Sequence, residues 1–152
     1  MSQETQSDKG KVLPFGIPEK KLQVLVVDDE KSIADTLAVI LRTKGYRSVS
    51  AYDGASGLAI YRRIIPDLVI TDVLMPDMNG IAMAIAIRKE FLKSRILLFS
   101  GQQSLTEEML RESRTLGYDF ELLAKPIHPV ELLQKVAELI GTPPPQLQRQ
   151  AS

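Results

Sequence analysis

Three carboxylates, one hydroxyl and one amine stand where apolar runs of this chain stop. Val24–Val27 leads into Asp28 and Asp29, "LVIT" ends at Asp72, "ILLF" ends at Ser100, and "FELLA" ends at Lys125. Two carboxylates about 5 Å apart repel by about 3 kcal/mol at an effective dielectric of about 20. If the three acids meet, they need a proton or a cation. Oxygen ligands without thiolate or paired imidazole select a hard ion, Mg²⁺ first, with Mn²⁺ able to substitute. Mg²⁺ keeps several waters and completes its shell with phosphate oxygens of a substrate. A carboxylate can also attack phosphorus and give an aspartyl phosphate. Lys125 and Ser100 have the chemistry to hold the phosphoryl oxygens, one by charge and the other by a hydrogen bond.

These residues share a site only if the runs before them lie side by side. The pattern alternates. Leu22–Val27 reads as a strand, and Ser32–Lys44 carries Ile33, Leu37, Ile40 and Leu41 at helical spacing with Gly45 as a stop. Arg47–Ala51 is short and polar on one side, as an edge strand would be, and Asp53 is placed to cap a helix reaching about Arg62. Leu68–Asp72 is the third strand, and "MPDMNG" turns the chain into a helix from Gly80 to Glu90. Arg95–Ser100 is the fourth strand. The helix after it opens on "SLTE", where Ser104 and Glu107 have capping-box spacing. Phe120–Ala124 is the fifth strand, and Pro129 starts a helix that ends at Ile140 before Gly141.

Strands alternating with helices imply parallel β-α-β units with right-handed crossovers and helices on both faces, an α/β fold. Residues 24–27, 68–70 and 96–99 are apolar at every position, as central strands buried on both faces should be. An eight-fold barrel would need about 250 residues, so the sheet is open. Open sheets of this kind place their sites beyond the carboxyl ends of the strands.

The chain has 152 residues, enough for one domain with a substantial core. Nineteen basic residues balance nineteen acidic ones, which argues against nucleic-acid binding by bulk charge. There is no cysteine, and His128 stands alone, so thiolate catalysis and multi-histidine metal sites are excluded. No segment approaches the roughly 20 apolar residues of a membrane helix, and the start lacks a signal-peptide core. The expectation is therefore a cytoplasmic protein. Residues 1–21 read as a flexible polar extension, 22–141 as the folded domain, and 142–152 as a flexible proline-rich tail.

"VVDDE", "ITDVLMPDMNG", "LLFSG" and "AKPI" occur in the order and spacing of the receiver domain of two-component response regulators, and the chain resembles that family over about residues 22–140. The resemblance implies a flavodoxin-like (βα)₅ fold with strand order 2-1-3-4-5. It implies that Asp72 is the phosphoacceptor, taking a phosphoryl group from a histidine kinase or a histidine phosphotransfer protein. Asp29, Asp72 and the backbone carbonyl of Leu74 would ligate Mg²⁺, with Asp28 acting through a metal-bound water. Ser100 and Lys125 would bind the phosphoryl group, and the Lys125–Pro126 peptide would be cis. Output would pass through residues 104–140 to a protein partner, by phosphorelay, or through homodimerisation on that face. On this reading the chain is a stand-alone signalling phosphoacceptor, with no direct DNA binding and no activity beyond its own phosphorylation and dephosphorylation.

Each residue also has a plainer reading. Asp28–Glu30 could cap a helix, Ser100 and Gly101 could be loop residues, and Lys125 could be a solvated surface residue. His128 reads as a local cap and Met75, Met78 and Met83 as packing groups, while "VLPFGIP" reads as a linker. The convergence of all four elements outweighs these. Two rivals remain: a receiver fold kept as a constitutive docking module, and a haloacid-dehalogenase-type phosphohydrolase. The second wants two acids in a "DxD" pattern on the first strand, where this chain has adjacent ones. One departure from the family stands out. Many receivers carry an aromatic residue three positions before the lysine, and this chain has Leu122, with Phe120 two residues earlier. Output is therefore expected to depend on the helix after Ser100. Leu74 and Gln102 fall at positions that tune phosphoryl lifetime in the family, and an apolar Leu74 offers nothing to orient an attacking water.

Overall fold

Short aliphatic runs separated by amphipathic stretches can bury both faces of a sheet only if helices cover each side. The computed structural model, which describes residues 21–144, has that arrangement. The elements are β1 (Gln23–Val27), α1 (Lys31–Thr43), β2 (Arg47–Ala51), α2 (Gly54–Ile64), β3 (Leu68–Asp72), α3 (Gly80–Glu90), β4 (Ile96–Ser100), α4 (Gln103–Thr115), β5 (Glu121–Ala124) and α5 (Pro129–Ile140). Residues 1–20 and 145–152, which hold nearly all of the expected extension and tail, lie outside the described residues.

The strands form one parallel sheet in the order β2-β1-β3-β4-β5. This is the expected flavodoxin-like order. The three runs that are apolar at every position are the three central strands, and the half-polar Arg47–Ala51 run lies at one edge. Alternate residues of each strand point to opposite faces. Leu25, Val27, Val69 and Leu98 pack with Leu58 and Tyr61 of α2, Met83 and Ile87 of α3 and Leu110 of α4. Val24, Val26, Ile70, Leu97 and Phe99 pack with Leu37 and Leu41 of α1 and Leu132 and Val136 of α5. Met75 is buried and Met78 half-buried in the first of these layers, so the methionines are packing groups, as expected.

Helix ends follow local chemistry. The Asp53 carboxylate accepts the Ser56 N–H at 2.7 Å and caps α2. The Asn79 side chain accepts the Ala82 N–H at 2.8 Å and caps α3. His128 is a cap, its Nδ1 accepting the Val130 N–H at 3.2 Å just before Pro129. α2 ends at Ile65 with φ of 41°, a left-handed conformation that β-branched residues rarely take, and Pro66 prevents the helix from continuing.

Several element ends shift by a residue or two from the sequence reading, and two of these shifts bear on the site. The expected capping box at Ser104 does not form: α4 starts at Gln103, its N-cap is Gln102, and that residue makes no side-chain cap. The Ser100 hydroxyl takes the Gln102 N–H instead, so the helix begins earlier and Ser104 falls inside its first turn. β5 begins at Glu121, opposite Leu97, and Phe120 precedes the ladder as a buried side chain stacked on Tyr118. No helix among the described residues is long and apolar enough to cross a membrane.

Leu132 is fully buried where α5 meets the sheet. Leu132→Ala is expected to lower stability by about 2–5 kcal/mol, read from the midpoint of urea unfolding.

Candidate functional site

β1, β3, β4 and β5 are parallel, so their carboxyl ends open on one rim. Asp28 and Asp29 follow β1, Asp72 and Ser100 end β3 and β4, and Lys125 follows β5. The Asp28, Asp29 and Asp72 carboxylates converge, with one oxygen of each within 4.8 Å of the others. Asp28 is fully buried and Asp72 nearly so, while Asp29 faces solvent. Lys125 Nζ lies 3.3 Å from Asp28 Oδ2 and 3.4 Å from Asp72 Oδ2 and so bridges the two buried acids. It also sits over the Phe99 ring, 4.9 Å from the centroid.

The backbone fixes these groups from behind. Asp28 Oδ1 accepts the Glu30 N–H at 2.8 Å, and the Asp28 N–H donates to the Ala51 carbonyl. Glu30 is the N-cap of α1 but makes no side-chain cap, and the first turn of that helix has no acid. Asp28 and Asp29 therefore meet Asp72 at the rim, and the Glu30 carboxylate does not cap the helix. The loop after β3 folds back so that the Gly80 N–H donates to the Val73 carbonyl at 2.7 Å. A Cβ on Gly80 would overlap the carbonyl oxygen of Asp72 and come within 2.9 Å of its carbon, so only glycine lets α3 start this close to Asp72. Lys125 joins Pro126 through a cis peptide, as expected, and its N–H donates to the Ser100 carbonyl. Leu74 is half-buried and packs against the α2–α4 layer.

The electrostatics follow from this crowding. Burial, reinforced by the charge of Asp28, pushes the Asp72 carboxyl up to about 6 against the opposing pull of Lys125. Burial alone would lower the Lys125 ammonium, but Asp72 and Asp28 outweigh it and hold the group above the ordinary lysine value. One ammonium thus faces three carboxylates. Such an all-oxygen set with surplus negative charge fits a hard divalent cation, Mg²⁺ or Mn²⁺.

Every residue expected at the strand ends lies at this rim. Three others were not anticipated: Phe99 under the lysine, Gly80 behind Asp72, and Thr106, whose hydroxyl lies 2.7 Å from that of Ser100. The one signal for Thr106 was its place in the stripe Thr106, Leu110, Ser113, the buried face of α4.

Residues 24–137 match the family described as the response regulator receiver domain. The chain belongs to the response regulator receiver family. Receiver domains are signalling modules of two-component systems, bind Mg²⁺ through an acidic pocket and interact with histidine kinases or phosphotransfer proteins. This receiver is 32% identical over 117 residues to a probable transcriptional regulatory protein, TcrX, of Mycobacterium tuberculosis, covering 77% of this chain and 49% of that one. It is 32% identical over 114 residues to the DNA-binding response regulator MtrA of Mycolicibacterium smegmatis, covering 75% of this chain and 48% of that protein. The chain therefore spans about half the length of these curated relatives. Among solved structures, the chemotaxis protein CheY4 of Vibrio cholerae superposes with a TM-score of 0.71 at 30% identity, covering 79% of this chain and 99% of that one. A receiver domain from Clostridium thermocellum gives 0.70 at 26% identity, covering 78% and 94%.

Because the folded state of the metal-free receiver holds the Asp72 proton more tightly than an unfolded chain would, its stability falls as pH rises from about 4 to about 6. Asp72→Asn removes the buried charge. It is expected to stabilise the metal-free protein at pH 7 by about 1–2 kcal/mol, because losing a Lys125 partner offsets part of a penalty near 1.4 kcal/mol for each pH unit. The gain should fade by pH 4. Thermal unfolding of both proteins across that range tests it, and a constant difference would assign the effect to packing.

Proposed function

We propose that this receiver accepts a phosphoryl group on Asp72 from the phosphohistidine of a histidine kinase or histidine phosphotransfer protein. An Asp72 carboxylate oxygen attacks phosphorus, the P–N bond to the donor imidazole breaks, and the imidazole keeps that electron pair. The observation that carries this reading is the bridging of Asp28 and Asp72 by Lys125 at the edge of a three-carboxylate cluster. A nucleophilic carboxylate must be ionised, and burial works against that here. Lys125 opposes the shift, as would a divalent cation held by Asp29, Asp72 and the Leu74 carbonyl, with Asp28 reaching it through water. When bound, that cation neutralises charge developing on the transferring phosphoryl oxygens. Lys125 then has a phosphoryl oxygen to pair with, and Ser100 donates a hydrogen bond to another.

Phosphorylation adds charge and acceptor oxygens at the rim, and the reading places output on residues 104–140, which include α4, β5 and α5. The partner is a protein, a phosphorelay acceptor or a second copy. The DNA binding named for the longer relatives is not assigned to the receiver itself, and the formal charge of the whole chain is balanced. The adjacent carboxylates after β1, with the lone Asp72 on β3, disfavour a phosphohydrolase. The intact set of acids, hydroxyl and lysine disfavours a silent docking module.

Incubation with acetyl phosphate followed by phosphate-affinity electrophoresis should give a shifted band with Mg²⁺, and none without Mg²⁺ or in Asp72→Ala. No band, even with a cognate kinase, would favour the docking module. The phosphate is also expected to persist for minutes or longer, because Leu74 presents only hydrocarbon to an attacking water. A decay within seconds would show that another group orients that water.

A further inference from the structure

The hydroxyl at the end of β4 has a partner six residues away that no part of the phosphoryl chemistry requires. Ser100 Oγ and Thr106 Oγ1 lie 2.7 Å apart. Thr106 is 0% exposed, so water does not reach its hydroxyl, whereas Ser100, 1% exposed, ends β4 at the open rim. Ser100 Oγ also accepts the Gln102 N–H at 3.0 Å. A hydroxyl has one proton to give and two lone pairs to offer, and counting them sets the direction of the bond.

Among the described residues Ser100 is the one hydrogen-bond partner of the Thr106 hydroxyl. If Ser100 were the donor, the Thr106 proton would be sealed under α4 without an acceptor. If Thr106 is the donor, both lone pairs of Ser100 are filled and the spare proton belongs to Ser100. That proton lies at the rim, between the strand that ends at Asp72 and the segment where Lys125 N–H donates to the Ser100 carbonyl.

We propose that Thr106 is a positioning residue of the phosphoryl site: its hydroxyl donates to Ser100 Oγ, holds it as a double acceptor, and leaves the Ser100 proton for a phosphoryl oxygen. This rests on Asp72 being the phosphoacceptor. The same chain of hydroxyls runs outward. A donor engaged by a phosphoryl oxygen becomes a better acceptor from behind, so the Thr106–Ser100 bond tightens when the site is filled. Thr106 lies in the first turn of α4, and its N–H donates to the Gln102 carbonyl. The Gln102 N–H in turn donates to Ser100. Occupancy at Asp72 is thereby read by the start of α4 without an aromatic at Leu122, a side chain with no hydrogen bond to offer.

The test uses the full chain with Mg²⁺ and beryllium fluoride, a phosphoryl mimic, with binding followed by calorimetry and by α4 amide shifts. Thr106→Val keeps the shape and removes the hydroxyl, while Thr106→Ser keeps the hydroxyl and removes a methyl. Thr106→Val is expected to weaken binding three- to tenfold and shrink the α4 shifts, Thr106→Ser to bind as wild type, and Thr106→Val to add nothing in a Ser100→Ala background. A role in packing alone predicts the reverse order of the two Thr106 variants. Wild-type affinity or tighter in Thr106→Val, or failure of Thr106→Ser to restore binding, overturns the relay and leaves Asp72 as acceptor. Failure of wild type to bind the mimic, with the Asp72→Ala protein indistinguishable from it, overturns both.

Discussion

Bringing three carboxylates to one rim of a parallel sheet is the constraint on which the rest of this structure depends. Two of them are buried, where an unpartnered charge is most costly, and the chain supplies a single ammonium between them. Lys125 is held at that point from several sides. Its Nζ reaches Asp28 and Asp72 and lies over the Phe99 ring, and its backbone is tied to Ser100. The Glu30 amide adds a further donor to Asp28. These contacts offset the cost only in part: burial first, and then the charge of Asp28, still hold the Asp72 carboxyl above its ordinary value. What remains is a standing preference for a hard cation.

The fold meets this constraint with rigid parts. Asp28 and Asp72 stand at the ends of strands that are buried from Val24 to Val27 and from Leu68 to Thr71, so they cannot swing away without disturbing the core. Gly80 and the loop after β3 close against the Asp72 backbone, and Asp28 is anchored to β2 through its amide. The sheet thus works as a clamp for charges that would otherwise separate. Side chains at a strand terminus inherit the precision of the strand, which a loop could not supply.

Most of the architecture was legible because it depends on period and polarity, which a sequence displays directly. Runs apolar at every position marked the three central strands, and "RSVSA" marked an edge. The chemistry was legible because each acting group stands at the end of such a run. Less legible were features decided by how close two distant parts of the chain come. Nothing local shows that Gly80 faces a carbonyl eight residues back, or that Phe99 lies under Lys125. Ser104 was misread as a cap because Ser-x-x-Glu is a sound local signal, and it lost to the Ser100 hydroxyl, which captured the Gln102 amide first. Thr106 looked like one member of a buried helix stripe, and only tertiary placement shows that its hydroxyl is used.

On the proposed reading, phosphorylation enlarges the problem the site already has. A carboxylate with one charge becomes an acyl phosphate carrying close to two, and among the described residues Lys125 is the one ammonium paired with these acids. Lys125 cannot pair fully with a phosphoryl oxygen while bridging Asp28 and Asp72 as it does now. The cation must take more of the carboxylate charge, and the remaining phosphoryl oxygens need donors that are already in place. Ser100 supplies a neutral one. A neutral donor adds no ion pair that would lock the site in one state, and the free energy of one buried hydroxyl contact, about 1 kcal/mol, falls at the lower end of ordinary coupling energies. A buried pair of hydroxyls therefore suits a switch that must be both set and released.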